Sequence, residues 1–212
     1  YALAHKWIDH DPFIGKKYQR TYSERQFLTE AEIKTIMDLD LKELPRLEVV
    51  RDTFVFCCFS GLAFCDMKSL TIDDIQDDDK GNTWIRKARA KTGEMCIIPM
   101  LDIPRQLIKK YSDHPVVKAT GVVMPVITNQ KMNAYLKEIA DLAKIKKHLT
   151  THVARHTFAS MSLCNNVSIE VISKMLGHSD IKTTQIYAKM QDQAVYDGMA
   201  TMRSKFNNVQ VV

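Results

Sequence analysis

The apolar positions of this chain recur mostly at three- and four-residue steps, which predicts helices over most of its length. Thr29-Glu30-Ala31-Glu32 is a capping-box signal and opens a helix that should run to about Leu39. Leu47, Val50, Phe54, Val55 and Cys58 make residues 46–60 a strongly apolar helix, stopped at Gly61. Residues 83–90 and 94–100 read instead as two strands, joined by Lys91-Thr92-Gly93 in a hairpin turn. Further helices are expected at about 102–111, 129–143, 151–164, 168–176, 181–189 and 191–205. Thr150 and Thr151 can cap the helix at 151, ahead of a stripe of Val153, Phe158, Met161 and Leu163. Gly177 ends the 168–176 helix, and Ser179 or Asp180 can start the next. The final helix carries an amphipathic stripe of Val195, Met199, Met202 and Phe206. Residues 1–14 look like the end of a helix that enters a linker at Asp11-Pro12. The fold class is therefore α+β, mostly α-helical, with a small antiparallel β-sheet.

Composition narrows the class. With 212 residues, 45% hydrophobic and 26% charged, the chain can build one sizeable core. It has no apolar run near the roughly 20 residues that span a bilayer, so no membrane partner is expected. Cys57, Cys58, Cys65, Cys96 and Cys164 lack metal-ligand spacing and read as buried thiols of a reducing compartment. The net charge of +5 is a weak hint of nucleic acid, but its distribution says more. Residues 131–190 hold nine Lys/Arg against four Asp/Glu, while Asp73, Asp74, Asp77, Asp78 and Asp79 form a solvated turn before Gly81. A basic surface in the later segment would attract a phosphate backbone.

That segment also holds the candidate chemistry. His152, Arg155, His156, His178 and Tyr187 fall within 36 residues. A metal-free attack on a phosphodiester needs such a set: cations for the oxygens, imidazoles for protons, and a nucleophile. His152 and Arg155 are three apart and share a helix face in a first turn whose N–H groups favour an anion. His156 points about 100° away from Arg155 and reads as structural. Each group also has a plainer reading. Tyr187 could pack its ring in the core, Arg155 could form a surface ion pair, and His178 could cap a helix C-terminus.

The stretch THVARHTFASMSLCNNVSIEVISKMLGHSDIKTTQIYAKM closely resembles the motif region of tyrosine recombinases, the integrase family. The family's H-x-x-R-H-T-F-A, L-G-H and T-T-x-x-Y blocks all stand here in order and at family spacing, and a weaker likeness covers residues 23–206. The resemblance implies a tyrosine recombinase catalytic domain at 23–212, preceded at 1–22 by the end of a core-binding domain helix and a linker. It implies a site-specific recombinase or integrase that cuts and rejoins DNA through a 3′-phosphotyrosyl intermediate, integrating or excising a mobile element. Tyr187 would be the nucleophile and Arg155 a phosphate clamp. His152 and His178 would contact the phosphate and help manage the tyrosine proton. Lys91, in the hairpin turn, would be the general acid on the leaving 5′ oxygen, though turn lysines are common and Lys87 and Arg89 lie close by. No cofactor or metal is implied. The expected partners are double-stranded DNA attachment sites and further copies in a tetramer on that DNA, with room for an accessory DNA-bending protein. The expected location is on DNA in the cytoplasm.

The pattern departs at one place. Where the family has Gly-Leu-Arg, this chain has Gly61-Leu62-Ala63, although Asp66 and Leu70 match the rest of that block. Another cation must then fill the gap, or the protein is inactive. Arg51, on the helix leading to Gly61, is the expected replacement, with Arg46, Arg86 and Arg89 behind it. A snorkelling surface arginine is the competing reading of Arg51. Within the class a chromosome-dimer resolvase or DNA invertase stays open beside a mobile-element integrase, and two rivals to a recombinase remain: a type IB topoisomerase-like enzyme, and a DNA-binding relative impaired by the missing arginine.

Overall fold

A computed structural model describes residues 1–15 and 26–188. Its centre is helix α2 (Pro45–Ser60). Apolar residues lie all round this helix, and a helix of that kind belongs in a core. Leu47, Val50, Phe54, Val55, Phe56, Cys57 and Cys58 are all buried. Four helices surround it: α1 (Glu30–Met37), α4 (Asp102–Tyr111), α6 (Asn129–Leu142) and α7 (Thr151–Cys164). The predicted capping box on Thr29 and Glu32 is present in full. Thr150 caps α7, and the start of that helix is tied to α6 by Thr151, which bonds Asn133 and Asn129.

Beside the bundle lies a three-stranded antiparallel sheet in the order β1 (Ile75–Asp77), β2 (Thr83–Ala88), β3 (Met95–Pro99). Ile85 pairs with Ile98 on its buried face. The expected hairpin is there, closed where Arg89 N–H donates to Glu94 O and Gly93 N–H to Arg89 O. Helix α8 (Ile169–Met175) packs on β3, and α9 (Lys182–Ala188) folds back onto both α7 and α8. The short helices α3 (Phe64–Lys68) and α5 (Pro115–Thr120), and strand β1, have no counterpart in the sequence reading.

Other expectations are corrected. Residues 2–6 and 12–15 form turns rather than the end of a helix, and Lys6 has φ 56°. A residue in the left-handed region and Pro12 both interrupt a helix there. The acidic group is not one solvated turn. Asp74 sits in a 3₁₀ turn and pairs with Lys87 at 2.7 Å, while Asp77 lies in β1. Asp78 takes hydrogen bonds from the Lys80 and Asn82 N–H groups and from Trp84 Nε1. Cys57, Cys58 and Cys96 are buried as expected, but Cys65 and Cys164 are exposed. The helix expected at 191–205, with its apolar stripe, lies outside the described residues.

Candidate active site

The site forms where the ends of α2 and α8 meet α7. Gly61 caps α2 at φ 67°, a conformation that favours glycine. A Cβ there would lie 2.4 Å from the Phe158 ring and 2.9 Å from Leu176 Cδ2, so the bare backbone is also what lets α2 end against α7. The Gly61 carbonyl thereby accepts Arg155 Nη1–H at 2.7 Å, and Leu176 O accepts Nη2–H at 2.5 Å. Arg155 is only 9% exposed and has two of its five N–H donors on these carbonyls. It is a preorganised cation rather than a surface ion pair. Burial, and next the charge of Arg89, hold its guanidinium below the usual arginine range.

Tyr187 arrives on α9. It is 3% exposed, and its Oη lies 2.9 Å from His156 Nδ1. The structure gives His156, read from sequence as structural, a direct contact with the Tyr187 hydroxyl. Helix α9 packs on α7 and brings the phenol to it. His178 follows Gly177, whose φ of 58° closes the end of α8. Its Nδ1 is 2.7 Å from Oγ1 of the buried Thr184, which fixes the ring. Thr184 is the second threonine of the T-T-x-x-Y block, so its role was within reach of the sequence.

His152 and Lys91 are both exposed, His152 one turn before Arg155 on α7 and Lys91 at the hairpin tip. The hairpin borders the site: Glu94 and Met95 line a cleft of about 480 Å³ together with Gly177 and His178. Asp66 is 1% exposed and receives the Ala90 N–H at 2.8 Å, which anchors the hairpin to α3. Two thiols lie near the cations without being activated. Burial pushes Cys57 up to about 12 despite Arg155, and it raises Cys96 despite Arg155 and Arg89.

Arg51 is not brought here. Its Nε–H binds Asp52 Oδ1 at 2.8 Å, its Nη1–H binds Leu39 O at 2.7 Å, and its Nη2 lies 3.7 Å from Glu48. It stands ten residues before Gly61, which on a helix is about 15 Å. Adjacency along α2 is not adjacency in space. Of the other candidates, Arg46 pairs with Glu138. Among the described residues no group of three or more His, Cys, Asp or Glu side chains is placed to hold a metal, and no helix is long and apolar enough to cross a membrane.

Comparison with known proteins bears on the family and the fold. The family model described as "Phage integrase family" matches residues 26–194. The tyrosine recombinase XerA of Saccharolobus solfataricus is 33% identical, over 75% of this chain and 53% of its own length. XerD of Staphylococcus saprophyticus is 39% identical, over 93% of this chain and 70% of its own. The chain thus spans about half to two thirds of such relatives. In fold, a lambda integrase dimer bound to a core site superposes with a TM-score of 0.69 at 15% identity, covering 91% of this chain and 69% of that one.

Proposed function

The chain belongs to the phage integrase family of tyrosine recombinases, and on that premise we propose that it cuts and rejoins DNA at specific sites through a 3′-phosphotyrosyl bond on Tyr187. The observation that carries this reading is the packing of α9 on α7, which buries Tyr187 with its hydroxyl 2.9 Å from His156, the residue next to the buried Arg155.

In the proposed reaction the phenol oxygen attacks phosphorus, an O–P bond forms, and the P–O5′ bond breaks. Arg155 meets charge on the non-bridging oxygens, where fixed donors matter most. The phenol proton passes to an imidazole. His156 already holds that oxygen, while His178, fixed by Thr184, and His152, on the rim, serve the phosphate. The leaving 5′ oxygen takes a proton from Lys91, whose place at an exposed hairpin tip beside the cleft suits a group that reaches toward bound DNA. The ester conserves the bond energy, so the 5′ hydroxyl of another strand can reverse the attack.

Double-stranded attachment sites are the proposed substrate, and assembly on them as a tetramer is the proposed working form. Support comes from structural neighbours: lambda integrase is known as a tetramer bound to a Holliday junction, and XerH bound to a difH substrate in a post-cleavage complex. Integration or excision of a mobile element is the proposed role. The test is incubation with nicked duplexes carrying candidate attachment sites. Covalent protein–DNA product that depends on paired sites for strand exchange supports recombination. Relaxation of any supercoiled plasmid would favour a topoisomerase instead.

A further inference from the structure

We propose that Arg89 provides the second guanidinium for the scissile phosphate, in place of the arginine that position 63 lacks. The proposal deepens the phosphotyrosyl reading of this site and rests on it.

A phosphate under attack carries charge on two non-bridging oxygens, and a single fork covers them incompletely. Arg155 donates to Leu176 O, and the next carbonyl along, Gly177 O, accepts Arg89 Nη1–H at 3.1 Å. Two guanidiniums thus hang from adjacent carbonyls at the end of α8, although one comes from α7 and the other from the edge of β2. Gly177 makes the approach possible: a Cβ there would lie 2.8 Å from Arg89 Cδ and 2.9 Å from Cys96 Sγ. The two cations feel each other, since the charge of Arg89 is the largest influence on Arg155 after burial.

Like charges brought together out of water are costly unless an anion offsets them. Asp66 does so only in part. Its Oδ1 is taken by the Ala90 N–H, and its Oδ2 stands 3.9 Å from Arg89 Nε, beyond hydrogen-bond reach. Both Asp66 Oδ2 and Arg89 Nε are buried with no hydrogen-bond partner among the described residues. Arg155, Arg89 and Asp66 together carry one net positive charge and unspent donor capacity. A phosphate diester supplies the matching charge and acceptors. Ala63 caps α3 one turn before Asp66, so the gap in the family pattern and the unspent arginine border the same carboxylate.

The test begins with nicked duplexes randomised on both sides of the nick, from which the chain selects a cleaved sequence as covalent adduct. That sequence is then made with an ordinary scissile phosphate and with each diastereomer of a methylphosphonate, which replaces one charged non-bridging oxygen by a neutral methyl. Arg89→Ala should form adduct on ordinary DNA slower by the order of 10²–10³, the usual effect of losing such a donor. Its retention of DNA and its melting temperature should stay near those of the parent. One methylphosphonate diastereomer should restore most of the rate, Arg89→Lys should fall between parent and alanine, and Ala63→Arg should recover part of the loss in the Arg89→Ala background. A parental rate in Arg89→Ala, or a slow rate that neither diastereomer rescues, would overturn the assignment while leaving an active parent. If the parent captures no duplex at all, the phosphotyrosyl reading fails first and takes this proposal with it.

Discussion

Arg51 and Arg89 are buried to nearly the same degree, with side chains 12% and 15% exposed, yet they sit in opposite situations. Arg51 belongs to a closed knot. It binds Asp52 and the Leu39 carbonyl. Asp52 also accepts from Lys110 Nζ at 2.6 Å and from Tyr111 Oη at 2.8 Å, and Lys110 reaches Glu48 at 2.6 Å. The knot fastens α2 to α4 and to the loop after α1. Arg89 has one carbonyl, a carboxylate beyond bonding distance and an Nε left unsatisfied among the described residues. Burial alone therefore does not separate the two arginines. What differs is how far their donors are already spent.

The comparison can be broken most forcefully at Asp52. Asp52→Ala leaves Arg51, Lys110 and Tyr111 without their shared acceptor in a buried setting, and should cost about 3–5 kcal/mol of stability. Denaturant melts would show it, while adduct formation per folded molecule should hold. A comparable energy, read instead as rate, is expected at the other cluster. Arg155→Lys keeps a charge but loses the fork, and should slow adduct formation by the order of 10²–10³ with DNA retention intact. Parental cleavage by this variant would contradict the placing of Arg155 as clamp.

Arg51→Ala sharpens the contrast. It should lower stability by about 1.5–3 kcal/mol, the scale of charged hydrogen bonds, and leave the rate of adduct formation per folded molecule within about twofold of the parent, as the usual reach of a distant, independent site allows. A crippled but well-folded Arg51→Ala would return Arg51 to the site and undo the comparison.

How far these assignments could be read from sequence depended on distance along the chain. The Thr29 capping box and the apolar run closed by Gly61 are local signals, and α1 and α2 match them closely. Strand β1 has three residues and α3 five, too few to show a period. The spacing of the motif blocks foreshadowed that α9 would fold back onto α7 and α8, the packing that positions Tyr187 near the helix of Arg155 and the one that His178 follows. The His156 contact was not foreshadowed, because it depends on how α9 crosses α7 rather than on where His156 points. The Arg51 expectation failed for the same reason: a neighbour in sequence on one straight helix is far in space, while Arg89 is carried in by a hairpin from a separate element.

The smallest effect concerns acid, and it lies in neither arginine cluster. Burial opposes the ionised forms of Glu32 and Asp74, but hydrogen bonds and charge from Lys147 and Lys87 outweigh it, so both carboxyls are held below their usual values. A depressed folded-state pKa gives stability that is present above the unfolded value and lost as pH falls through the folded one. Stability should therefore decline from about pH 4.5 downward. Glu32→Gln should flatten part of that decline, and Arg89→Ala should leave it unchanged in urea melts taken across the range.

The most direct test of the whole account is to trap the chain on a cleaved duplex, digest it, and locate the modified residue by mass spectrometry. The account predicts a 3′-phosphoryl nucleotide on Tyr187 and no adduct from Tyr187→Phe, which loses only the hydroxyl and should hold DNA as the parent does. An adduct on Tyr196 or any other residue, or one that persists in Tyr187→Phe, would contradict it.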